Sequence, residues 1–175
     1  LIRRLKNQKG LTLIELLAVV VIFGIIALIA IPAIGGLIDN TKKDAHVANA
    51  IQMIDSAKLA VIAHREVRPP SSGDVVYISL QWLIDEGYLD EVRDPDGGAY
   101  TTQTVGAGNF ELTGGSGAPS TAGTYIRVEA INKSHSFSIF TDNGTRGVRG
   151  ADGDNGTSVS HYVAEHNLKR SNVRN

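Results

Sequence analysis

Hydrophobic residues recur along this chain in three rhythms, and each predicts a different element. Leu16–Ile38 is a run of 23 positions without a charged side chain. About 20 apolar helical residues cross the hydrocarbon core of a bilayer, so the run predicts a membrane-spanning helix. Next, Val47, Ala50, Ile51, Ile54, Ala57 and Val61 recur at intervals of three and four, the stripe of an amphipathic helix. Lys42, Lys43, Asp44, Asp55, Lys58, Arg65 and Glu66 lie largely outside that stripe. Pro69-Pro70 stops the helix, because proline lacks an N–H and disfavours helix in the residue before it. One helix from Thr12 to Arg68 is about 85 Å long. The roughly hundred residues that follow cannot bury all of it, so its first half needs lipid or copies of itself.

The third rhythm is alternation. Val75-Val76-Tyr77-Ile78 reads as a strand. Ser79 is a good N-cap for a short helix through Leu80, Leu83 and Ile84, closed by Gly87. Asp94-Pro95-Asp96-Gly97-Gly98 is turn chemistry. Gly106–Gly123 reads as a Gly/Ser/Thr-rich loop region interrupted by Phe110-Glu111-Leu112. Tyr125–Ala130 and Ser136–Phe140 form the best strand pair, joined through Asn132-Lys133-Ser134. Their alternation sets Ile126 and Val128 against Phe137 and Ile139 or their neighbours. A last element falls around Val159–Val163, strand or helix. The class is α+β.

Charge sharpens the N-terminal picture. Glu15 is a lone carboxylate at the mouth of the apolar run. An ionised side chain there costs about 3 kcal/mol on insertion scales, which marks it as a functional candidate. The competing reading is a plain signal anchor in which Glu15 marks the interfacial end of the helix. Arg3, Arg4, Lys6 and Lys9 precede it with no acid among them, a flank that holds the N-terminus on the cytoplasmic side. A secretory signal carries its small-residue cleavage site after the apolar core; none follows here, and the plausible cut lies before the core, at Gly10. Ala18, Gly24, Ala27, Ala30, Ala33, Gly35 and Gly36 let helices approach closely. Gly24 and Pro32 are also weak points, proline costing about 3 kcal/mol inside a helix.

Lys9-Gly10-Leu11-Thr12-Leu13-Ile14-Glu15, the apolar helix behind it, Gly24 and Pro32 together resemble the type IV pilins and their pseudopilin relatives. The resemblance is close from Lys9 to about Ala63 and holds only in outline beyond. It implies that a prepilin peptidase cuts after Gly10 and methylates Leu11, although Leu11 stands where the family usually has phenylalanine or methionine. It further implies that Glu15 pairs with the Leu11 amine of a neighbouring subunit, and that the segment between Gly24 and Pro32 partly melts in the fibre. The implied division is a basic leader (1–10), a transmembrane and filament-core helix (11–38), its amphipathic continuation (39–68) and a globular head (69–175). The long helix would pack on a small C-terminal antiparallel sheet. The implied product is a homo-oligomeric helical filament. Its subunits start as single-pass precursors in the cytoplasmic membrane, with the head outside, and are extracted by an assembly platform and motor. Adhesion and motility are the usual uses. A major pseudopilin of a type II secretion or DNA-uptake system, or a membrane-anchored surface binding domain that never polymerises, shares the same N-terminal logic.

Composition removes most other classes. The formal charge of −1 becomes −5 without the four leader cations, which argues against nucleic acid as the main partner. There is no cysteine, hence no disulfide or thiolate chemistry. His161, Glu165 and His166 lack the metalloprotease spacing, and His46, His64 and His135 read as scattered, solvent-facing residues. No nucleophile elbow or P-loop is present, so the expectation is not an enzyme, with no cofactor except a candidate calcium. Gly144, Gly147, Gly150, Gly153 and Gly156 fall at every third position. The tract has no proline and too few triplets for a collagen helix, and reads as a long exposed loop. Its Asp142, Asp152, Asp154 and Asn155 are oxygen donors of the kind calcium takes, and some pseudopilins carry calcium in this part of the head. Solvated turn residues are the competing reading.

Overall fold

The computed structural model describes residues 12–102, 110–113, 119, 123–150 and 161–174. It divides into two compact units, Leu1–Asp39 and Asn40–Asn175. Helix α1 runs from Leu13 to Ala63 and contains Pro32 and Gly24 without a break in its helical assignment. In the first unit its apolar side chains are open: Leu13, Leu28 and Ile29 are 84, 78 and 72% exposed. By length and composition it is the one helix among the described residues able to cross a membrane.

The second unit holds the core. Strands β1 (Val75–Ser79), β2 (Phe110–Thr113), β3 (Tyr125–Ile131), β4 (Ser134–Phe140), β5 (Gly147–Val148), β6 (Val163–Ala164) and β7 (Val173–Arg174) surround the short helix α2 (Leu80–Asp85). Five strands form a sheet in the order β2-β1-β3-β4-β6, antiparallel at every pairing; β5 and β7 form a separate antiparallel pair. Ile126 faces Ile139 and Val128 faces Phe137 across β3 and β4, as alternation predicts. The hairpin begins at Ser134, earlier than expected, because Asn132 takes a left-handed φ of 56° and lets the strands turn in two residues.

The sheet is covered on both faces. Val76, Ile78, Ile126, Val128 and Ile139 cluster with Ala50, Met53, Ile54, Ala57, Ala60 and Val61 of α1. Three alanines on that helix stripe let its backbone approach the sheet. Val75, Tyr77, Tyr125, Phe140 and Tyr162 form a second cluster on the opposite side. The expected stripe is right at Ala50, Ile54, Ala57 and Val61, but Ile51 is 41% exposed and Met53 takes the buried place. The helix also stops at Ala63, short of Arg68. The Arg68 guanidinium folds back instead, donating from Nε and Nη2 to the Val61 carbonyl at 3.1 and 2.9 Å and from Nη2 to that of Ile62 at 3.2 Å. A cation bonded to the last carbonyls closes the helix before the prolines are reached.

Ser79 ends β1 and caps α2, its hydroxyl accepting from Trp82 N at 3.1 Å. Gly87, at φ 74°, then reverses the chain, with Tyr88 N donating to Leu83 O at 2.9 Å.

Candidate functional site

The N-terminus of α1 is built by a reciprocal cap. Thr12 precedes the first helical residue, and Glu15 lies three residues on. Thr12 N and Thr12 Oγ1 both donate to Glu15 Oε2 at 2.8 Å, while Glu15 N donates to Thr12 Oγ1 at 3.3 Å. These bonds satisfy donors that a helix start otherwise leaves open. The carboxylate also sits at the positive end of the helix dipole. So Glu15 already has a local partner, which the sequence reading missed although Thr-x-x-Glu before an apolar run is a capping signature. Gly10 and Leu11 lie outside the described residues. Gly24, Gly35 and Gly36 have nothing among the described residues within 4 Å of where a Cβ would stand.

A second constellation lies within the head. His46, on α1, is fully buried, which corrects the expectation of a solvent-facing histidine. Its Nδ1 is 2.8 Å from Tyr100 Oη, and its Nε2 is 3.0 Å from Asp96 Oδ2 and 3.6 Å from Asp94 Oδ1. Asn49 Nδ2 donates to Tyr100 Oη at 3.2 Å and to Arg93 O at 3.0 Å. The turn presents its acids because Asp94 folds it: its carboxylate accepts from Asp96 N at 3.0 Å and Gly98 N at 3.2 Å, and its carbonyl from Gly97 N at 3.0 Å. Gly97 meets the required φ of 95°. Asn143 Nδ2 adds a bond to Asp94 Oδ2 at 2.8 Å. Lys42 Nζ lies 3.3 Å from Asp96 Oδ1 and Arg146 Nε 3.6 Å from Asp96 Oδ2. The His46 hydrogen bond, followed by the Lys42 bond and the Arg146 charge, holds the Asp96 carboxyl below the usual range against the opposing effect of desolvation. Burial pushes the Tyr100 phenol well up. His64 is half-buried too, its ring edge-on to Trp82 and Tyr88 at 5.4 and 5.6 Å.

Of the candidate calcium ligands, Asp142 is described; Asp152, Asp154 and Asn155 lie outside the described residues. The Asp142 carboxylate pairs with the Arg149 guanidinium and accepts from Gly144 N at 3.2 Å, so a cation of the chain already stands beside it. The glycine tract is not exposed throughout. Gly147, Val148 and Arg149 are buried, and β5 pairs with β7. Gly153 and Gly156 lie outside the described residues.

Residues 5–31 match the family model of the prokaryotic N-terminal methylation motif. The match begins in the basic flank, spans Gly10, the Thr12–Glu15 cap and Gly24, and ends one residue before Pro32. The chain therefore carries the class III signal of type IV pilins and pseudopilins, followed by a long apolar helix and a small antiparallel α+β domain. No curated protein and no solved structure matches it significantly.

Proposed function

We propose that this chain is a structural subunit, a pilin, of a type IV pilus-like filament, and not an enzyme. The observation that carries the reading is the methylation motif set at the start of a helix whose apolar first half finds no cover among the described residues of its own unit. Such a surface is at home in lipid, and afterwards among copies of the same helix. A prepilin peptidase cuts the Gly10–Leu11 bond and methylates the Leu11 amine, and an assembly platform and motor then draw the subunit out of the cytoplasmic membrane. The head stays on the outer side and the fibre is extracellular. Gly24, Gly35 and Gly36 give close helix–helix approach, while Gly24 and Pro32 bracket the stretch that unwinds on assembly.

The cap refines the role of Glu15. Both described bonds from Thr12 land on Oε2, so Oε1 is the atom that accepts the Leu11 ammonium of a neighbouring subunit. Pairing neutralises two charges that an apolar fibre core would penalise by several kcal/mol. Secretion and DNA-uptake pseudopilins use the same signal, and fibre length on sheared cells separates them from a pilus subunit. In the test, cells express only Glu15→Val. Intact mass should show normal cleavage after Gly10, and microscopy of the sheared fraction should show loss of homogeneous fibres. Abundant fibres of wild-type length would overturn the pairing.

A further inference from the structure

The buried His46 constellation has features that a fastening of helix to turn does not require. The Asp94 side chain is 2% exposed, its described hydrogen-bond donors are neutral (two backbone N–H groups and the Asn143 amide) and His46 Nε2 stands 3.6 Å away. A buried charge is paired or coordinates a metal, since desolvation otherwise costs far more than neutral hydrogen bonds return. The cations Lys42 and Arg146 approach Asp96, the neighbouring carboxylate. Arg146 Nε stands 3.6 Å from Asp96 Oδ2, so among the described residues Asp94 is the carboxylate that faces only His46 and neutral donors.

We propose that His46 Nε2, Asp94 Oδ1 and Asp96 Oδ2 bind one first-row divalent metal ion, Zn2+ foremost, which locks the Asp94–Gly98 turn onto α1. One donor atom from each of His46, Asp94 and Asp96 lies within 4.8 Å of the other two. Around a tetrahedral Zn2+ with bonds of about 2.0–2.1 Å, ligand atoms stand about 3.3 Å apart, and the separations of 3.0 and 3.6 Å from Nε2 straddle that value. The imidazole is oriented from its far side by Tyr100 Oη on Nδ1, the outer contact that metal-ligating histidines use. Asp94 is held by three further bonds, so two of the three ligands are preset. Asp96 is 22% exposed, which gives the ion an entry and leaves a position for water. Lys42, 40% exposed, makes a surface pair of small worth and can leave Asp96 Oδ1 to solvent. One imidazole and two carboxylates suit zinc or manganese; calcium needs six to eight oxygens, more than this corner offers.

The site is independent of the filament reading, since binding is measured on unassembled full-length chain in detergent. Chelator-treated protein is dialysed against ZnCl2 and its bound metal and thermal midpoint are measured. One saturable Zn2+ per chain and a midpoint raised by about 4 °C or more are expected, with a smaller rise for Mn2+ and none for Ca2+ or Mg2+. His46→Gln should abolish binding. Should that variant fail to fold by circular dichroism, Asp96→Asn carries the test, with affinity reduced at least tenfold. His166→Ala, at an exposed histidine outside the cluster, should bind as the wild type does. Absence of saturable Zn2+ binding, unchanged affinity in Asp96→Asn, or loss of binding in His166→Ala would overturn the site.

Discussion

The two stretches of α1 are alike in conformation and opposite in fate. From Leu13 to Ile38 the helix carries large side chains, and they remain open, Leu28 at 78%. From Ala50 to Val61 the inward positions are mostly small, and they are fully or almost fully buried. Helix formation accounts for neither outcome, because both stretches form it. The difference lies in whether the described residues of the same unit supply a complementary surface. The second stretch has β1, β3 and β4 to pack on. In the first unit the apolar surface meets no other element among the described residues. Glycines repeat the lesson: Gly24 stands in open space, whereas a Cβ on Gly147 would fall 1.8 Å from the Thr141 carbonyl oxygen.

Breaking the core should break only one side of this contrast. Ile126→Ala removes a fully buried side chain at the centre of the sheet and should cost the head about 3–4 kcal/mol. Ile22→Ala, at a position 56% exposed, should leave head unfolding unchanged. Denaturant melts of full-length protein in one detergent compare them; equal losses would show that the first stretch is part of the same folding unit.

A smaller effect tests the glycines. Gly147→Ala forces the Thr141 backbone to move and should destabilise by about 2 kcal/mol. Gly24→Ala should not lower the head's melting midpoint, and should show its effect in fibre assembly instead. A harmless Gly147→Ala would mean that β5 and β7 yield freely.

The smallest effect sharpens the electrostatic side. The Asp96 carboxyl is lowered in the folded state, chiefly by the His46 bond. Its stabilisation is therefore present above the unfolded carboxylate pKa of about 3.9 and is lost as pH falls through the folded value. Asp96→Asn should cost about 1.5 kcal/mol at neutral pH and should flatten the loss of stability between about pH 5 and pH 2. Melting midpoints across that range, metal-free, decide it; parallel curves would remove Asp96 from the acid response.

What the sequence determined by itself is local. The apolar run, the alternation of Tyr125–Ala130 and the turn glycines Gly87 and Gly97 concern neighbouring residues whose conformations are set by sterics, backbone hydrogen bonding and period. The methylation signal is likewise contiguous, which is why Gly10, Leu11 and Glu15 could be nominated without a structure. The end of α1 was misjudged because the side chain of Arg68 closes it ahead of Pro69-Pro70 by reaching back through space to Val61 and Ile62. Only the tertiary structure decided that His46 is buried and meets Asp94 and Asp96, some 50 positions away. Desolvation depends on what stands on every side of a group, and a one-dimensional pattern of polar and apolar letters does not hold that information. Ile51 and Met53 exchanged expected places for the same reason, since the sheet chose which face of an ambiguous stripe to cover.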